Sequence, residues 1–229
     1  MFTGTPTSST GKDIFDYIDS SLKNLDDGSE TYWNKIAGFC SDGASNMQGK
    51  NMGVAAFVRQ QNRETLVMHC MAHRVELAYK DAVKKLKLYD KAVTLLLGLY
   101  YLYRKSPKMK QELKRSFSIL DKRVVLPTRI GGTRWLPHIY RAISVFLKGY
   151  QAFKLHLETS SHKNPKADGL ARILLDASVF VFILDLKVIL QPLIKLSLML
   201  QERSSTLADN FYILQATTDA LMHMKSKVW

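Results

Sequence analysis

Two short apolar runs constrain this chain more than any other feature: "KIAGFCS" at 35–41 and "TLVMHC" at 65–70. The first has the length and the apolar character of a short buried strand, and the second is a strand-like run. Between them, "GASNMQGKN" is a Gly/Asn-rich loop entering a helix pattern around 51–60. A helix between two strands supplies the crossover that a parallel pair requires, so a βαβ unit with parallel pairing is expected. Ahead of it, "KDIFDYIDSSLKNL" places Ile14, Phe15, Ile18, Leu22 and Leu25 at helical spacing. Thr10-Gly11 marks the start of that helix, with Asp13 and Asp16 near the positive end of its dipole. The first 75 residues therefore read α-β-α-β.

From Met71 the pattern changes. Residues 71–117 are helical almost throughout, with a break at Ser106-Pro107, and the loop "LDKRVVLPTRIGGTRWLP" follows. Three more helices are expected near 137–159, 167–202 and 206–226. The expected fold class is an α/β segment, residues 1–75, joined to a large all-α lobe, residues 76–229, predominantly helical overall. The run "SVFVFILDLKVILQPLIKLSLML", 178–200, is long and apolar enough to suggest a membrane span. Asp185, Lys187 and Lys195 interrupt it and Pro192 lies in its second half. Each unpaired charge at mid-membrane costs a few kcal/mol, so a buried helix of the lobe is expected and no membrane partner. "MFTGTPTSSTGKDIF" lacks a basic region followed by an apolar run, so it does not read as a secretory signal.

Charge narrows the class of partner. The chain has 33 Lys+Arg against 20 Asp+Glu, a net charge of +13, which points to a polyanion, most simply nucleic acid. The basic residues come in patches at 80–91, 103–115 and 121–129, with Tyr89, Tyr100, Tyr101 and Tyr103 interleaved. Solvated helix faces explain part of this. A lobe lying on a DNA backbone explains the excess, through residues such as Lys84, Lys85, Arg104, Lys105 and Arg115, because phosphate neutralisation needs dispersed cations. Two cysteines, Cys40 and Cys70, make no disulfide framework and suggest a reducing compartment.

Three clusters could carry chemistry. Asp42, after the first strand and before Gly43, stands where a nuclease-type sheet places a Mg2+ ligand; it also has the form of a turn or capping acid. In "HCMAHRVELA", Cys70 and His73 are three residues apart at a strand-to-helix junction. They could face one point, although the remaining histidines offer no matching zinc pattern; core packing and a hydrogen bond, to a phosphate for example, are the alternative. In "GGTRWLPH", Arg134 suits a bidentate phosphate contact and Trp135 a stacked base. Equally, the Trp could anchor the helical lobe while the Arg pairs with a carboxylate.

In order, "TGKDIFDYIDSSL", "GFCSDGASNMQGKNMGVAAFV", "HCMAHRVELA", "GGTRWLPH" and "LIKLSLMLQERSSTLAD" resemble consecutive blocks of hAT-superfamily transposases. The likeness is to the transposon-derived, host-adopted type found with BED and MYM-type zinc fingers. It spans about Thr10 to Lys225. The resemblance implies an RNase H-like α/β domain interrupted by an all-α insertion, and metal-dependent DNA cleavage by a DDE triad holding two Mg2+ or Mn2+ ions. It assigns Asp42 the second triad position and metal ligation, places Cys70 and His73 near the active site, and gives Arg134 and Trp135 to a DNA-handling helix. The family's first Asp and its final Glu have no counterpart here, and Glu202 lies in an insertion-like block. The expectation is thus a fragment, with 1–75 a partial RNase H-like segment and 76–229 a truncated insertion. It is expected to bind no catalytic metal by itself and to be catalytically inactive alone. Its expected partners are DNA, mainly through backbone contacts, other proteins, or itself, and its expected location is the nucleus. An active enzyme completed by a longer chain or an oligomer, and a protein-interaction scaffold without DNA contact, are the alternatives.

Overall fold

The computed structural model describes residues 5–6, 8–25, 32–132, 135–160, 162 and 164–227. The chain divides into two compact units, 1–75 and 76–229.

The first unit begins with helix α1, Gly11–Leu25. Thr10 caps it: its hydroxyl accepts from the Asp13 N–H at 3.2 Å and donates to the Asp13 carboxylate at 2.7 Å. Gly11 is a close-approach position. A Cβ there would lie 2.1 Å from the Met52 carbonyl oxygen and 2.6 Å from that of Asn46, so the start of α1 rests directly on the 46–53 turn. Phe15 packs with Tyr32, Trp33, Val54 and Val58 in the core of the unit, its ring stacked on Trp33 at 5.4 Å. Asp19 accepts from both the Tyr32 hydroxyl and the Trp33 indole at 2.7 Å, which satisfies two polar groups at the edge of that core. Leu25, expected on the apolar stripe, is 68% exposed, because α1 outruns the small core it covers.

Strand β1, Gly38–Ser41, and strand β2, Leu66–His69, pair in parallel, in register from Gly38↔Leu66 to Ser41↔His69. The crossover holds helix α2, Ser45–Gln48, a single turn where only loop was expected, and helix α3, Val54–Gln61. Strand β1 is not buried, contrary to expectation, and neither is β2. Phe39 and Val67 pack toward the core, while Cys40, Leu66 and Met68 are exposed. The cause is the pleat: with one face covered, every second residue of a two-stranded sheet points to solvent.

Helix α4, Met71–Val83, runs across the division between the units. The second unit continues with α5, Lys87–Lys105; α6, Pro107–Ile119; α7, Trp135–Ser160; α8, Pro165–Leu175; α9, Ala177–Met199; and α10, Leu207–Lys227. Ser106 ends α5 and caps α6, accepting from the Met109 N–H, with Pro107 in the first turn where its missing N–H costs nothing. The single helix expected over 167–202 is two. Asp176 caps α9 through the Ser178 N–H at 3.0 Å and pairs with Lys91 at 3.0 Å, so the helix restarts there without Gly or Pro.

Helix α7 is the central element, burying Leu136, Ile139, Ile143, Phe146, Phe153 and Leu157. Helix α9 alone among the described residues is long and apolar enough to cross a membrane. It was expected to be buried, but only one stripe is, through Val179, Ile183, Leu186, Leu190 and Leu196. Its other faces expose Val181, Leu184 and Val188, because α10 covers part of it and exposes Phe211, Tyr212 and Met222 in turn.

Candidate functional site

The carboxyl ends of the two parallel strands gather the sequence candidates of the first unit. This is where α/β sheets place ligands, because the loops and helix starts converge there. Asp42 follows the last residue of β1 and is exposed; one carboxylate oxygen accepts from the Ala44 N–H at 3.1 Å, which fixes the turn into α2. Gly43 lies beneath the His69 ring, where a Cβ would come within 2.6 Å of an imidazole carbon. The His69 Nε2 is buried without a hydrogen-bond partner, and its ring stands 5.4 Å from that of His73. The Cys70 N–H donates to the Ser41 carbonyl at 2.8 Å, carrying the ladder one residue past β2. The Gln48 amide braces the same end, donating to the Ser41 hydroxyl at 2.7 Å and the Met68 carbonyl at 3.2 Å. Asp42, Cys70 and His73 thus share one end of the sheet. Among the described residues, however, no three of His, Cys, Asp and Glu converge closely enough to hold a metal ion.

The block containing Trp135 is tied down by a residue that sequence reasoning passed over. Glu76 is only 5% exposed, and both its oxygens accept from the Leu136 N–H, at 3.0 and 3.2 Å. Leu136 is the second residue of α7, so a buried carboxylate stands at the positive end of the longest helix. Trp135 is half-buried; its indole N–H donates to the Tyr89 hydroxyl at 3.1 Å and Lys80 Nζ lies 5.3 Å from its ring. Tyr89 meets Tyr79 edge-on, and burial pushes the Tyr79 hydroxyl well above its ordinary pKa. The Trp135 edge and one face are therefore engaged inside the unit, as an anchor for α7. Arg134 lies outside the described residues. A sequence signal for Glu76 existed: it shares the buried stripe Ala72, Tyr79 and Val83 of α4, where an acid needs a partner.

The basic candidates Lys84, Lys85, Arg104, Lys105 and Arg115 are all exposed. Lys84 pairs with Asp81 at 2.7 Å and Lys105 lies over the Tyr101 ring. Among the described residues Lys85, Arg104 and Arg115 have no acidic partner. They do not form one compact patch. Lys84 and Lys85 precede α5, and Arg104 and Lys105 end it, so the 19-residue helix separates them by about 28 Å. That span matches roughly eight phosphates along one DNA strand.

Arg115 also lines a cavity of about 440 Å3 with Lys108, Glu112, His156 and Ser160, which the sequence did not suggest. His156 is 2% exposed. Its Nδ1 meets the Tyr103 hydroxyl at 3.0 Å, and its Nε2 faces Ser160 Oγ at 3.2 Å and Glu112 at 3.5 Å. Serine and acid share one nitrogen, whereas a serine–histidine–acid relay needs them on opposite nitrogens, so this is no hydrolase triad. Burial holds the His156 pKa below its ordinary value, against the opposing pull of Glu112. No family model matches this chain, and no solved structure matches it.

Proposed function

We propose that this chain is an hAT-like, transposon-derived polypeptide with a partial RNase H-like first unit, acting in the nucleus by sequence-independent binding to the DNA backbone. The observation that carries this reading is the set of exposed cations without acidic partners among the described residues, Lys85, Arg104 and Arg115, distributed from the α4–α5 turn to α6. Dispersed charge of this kind neutralises phosphates without reading bases. The chain is proposed not to cut DNA alone. Asp42 would hold Mg2+ or Mn2+ only with further carboxylates, and one acid cannot fix two divalent ions against water. Cys70 and His73 then serve the strand-end turn, and Trp135 holds α7 in place while neighbouring cations contact DNA.

Fluorescence anisotropy with two unrelated duplexes tests the reading. Affinity should be similar for both and should fall by about a thousandfold or more between 50 and 200 mM salt if six or more phosphates are neutralised. Replacing Lys85, Arg104 and Arg115 by Ala should flatten the logarithmic salt slope by about one unit for each cation that had been neutralising a phosphate. Absence of binding at 50 mM salt overturns it. Mg2+-dependent cleavage of nicked or hairpin DNA, abolished by Asp42→Ala, overturns the inactive assignment. A protein-contact role is the second reading. It is favoured by the exposed apolar residues of α9 and α10, among them Val181, Val188, Phe211 and Tyr212.

A further inference from the structure

Helices α5 and α8 pack together at a glycine. A Cβ on Gly98 would stand 2.4 Å from a Leu170 methyl, so the Leu170 side chain takes the place that a larger residue would fill. Along that contact lies a cleft of about 630 Å3, within the roughly 300–1,000 Å3 typical of small-molecule sites. Its apolar wall is built from Leu102, Met109, Leu170 and Ile173, with the Tyr101 ring beside them. Gly169 leaves a further part of the wall without a side chain, and no atom lies within 4 Å of where its Cβ would stand. Four more lining residues are donors: Lys105, Lys166, and Ser106 and Asn164, the caps of α6 and α8. The Ser106 hydroxyl oxygen accepts from the Met109 N–H at 3.3 Å, and the Asn164 side-chain oxygen accepts from the Lys166 N–H at 3.0 Å. The Ser106 O–H and the Asn164 amide N–H groups are left to donate. Lys105 Nζ lies 5.5 Å from the centre of the Tyr101 ring, so the charged and aromatic parts of the cleft adjoin. Among the described residues no Asp or Glu lines it.

Two cations, two neutral donors and no acid select an anion with several acceptor oxygens. A phosphate monoester has three such oxygens and a charge of about −1.5 to −2, which matches the set; a carboxylate brings two oxygens and one charge. The apolar wall and the Tyr101 ring call for a body that is flat and largely apolar. A phenyl phosphate has one but leaves much of the cleft empty, whereas a nucleotide adds a sugar and a larger ring. We infer that the α5–α8 cleft binds a nucleotide, its phosphate held by Lys105, Ser106, Asn164 and Lys166 and its base against Tyr101, Leu170 and Ile173. Lys105 is shared with the DNA reading, but nucleotide binding does not rest on that reading. A duplex backbone lies across exposed charge and has no use for an apolar cleft.

The test is calorimetric titration of the full chain with each of the four ribonucleoside 5′-monophosphates. At least one should bind, and its parent nucleoside and inorganic phosphate should each bind roughly tenfold or more weakly, since each lacks one part of the contacts. Lys166→Ala should weaken binding by roughly tenfold or more, the loss of one charge-assisted hydrogen bond. Gly169→Leu fills the cleft from a helix position with free space around it. It should abolish nucleotide binding, keep the circular dichroism spectrum, and leave the salt dependence of duplex binding unchanged. Five results would overturn the site. They are no binding of any of the four at millimolar concentration, equal affinity for nucleotide and nucleoside, parent affinity in a folded Gly169→Leu, tighter binding of O-phosphotyrosine, or displacement of the nucleotide by short single-stranded DNA. The last would make the cleft part of a strand path. The first titration uses the unaltered chain, so its outcome does not depend on any variant folding.

Discussion

Asp42 and Glu76 are acids near helix starts, and their surroundings give them different uses. Asp42 is exposed and engages one oxygen with the Ala44 N–H, leaving a carboxylate oxygen available to solvent or an ion. Glu76 is buried, with both oxygens turned to the Leu136 N–H. Asp42 was legible in the sequence because Gly43 and Ala44 beside it mark the turn. For Glu76 only the burial could be read, from its place on the apolar stripe of α4; its partner lies sixty residues on. His156 was equally hidden: Tyr103, Glu112 and Ser160 reach it from three helices. Its lowered pKa has a definite sign. The unfolded chain takes up the proton near pH 6.5, before the folded protein does. Stability is therefore fully present above about pH 6.5 and falls as pH drops toward the folded value. Thermal melts from pH 7.5 to 5 should show a Tm decline that is shallower in His156→Gln; parallel declines would remove His156 as the source.

Among the elements, those with local punctuation were the readable ones. Thr10 and Ser106-Pro107 announce the starts of α1 and α6 through caps that lie within four residues. The division between α8 and α9 was missed because its cap, Asp176, sits in a run of apolar residues and draws support from Lys91, 85 positions away. The strands were identified with the right pairing, and β1 with the wrong burial. Apolar content alone cannot reveal whether a second layer covers the sheet, and here Cys40 and Met68 remain exposed. The start of α7 depends on α4 in the same long-range way. Glu76→Ala leaves the Leu136 N–H buried and unpaired, which should cost about 1–3 kcal/mol. Glu76→Gln keeps an acceptor and should cost less. Urea unfolding followed at Trp135 would measure both, and equal stability of Glu76→Ala and the parent chain would refute the capping role.

At the scale of the whole molecule, the two units are unequally supported. The first has a core cluster of five buried side chains and a sheet bare on one face. The second packs α5 to α9 through fully buried residues such as Leu95, Leu113, Phe117, Phe153 and Ile183. Hydrogen exchange should therefore find β1 and β2 opening well below the free energy that protects α5 and α7. Finding residues 38–41 the most protected would contradict this. The carboxylate under α7 also has a consequence for synthesis. Glu76 is made sixty residues before the N–H it serves, a delay of roughly 3–12 s at ordinary elongation rates. Through that interval α4 carries an unsatisfied acid on its apolar stripe and stays wet. The helical unit cannot close on the ribosome until the residues from Trp135 onward emerge.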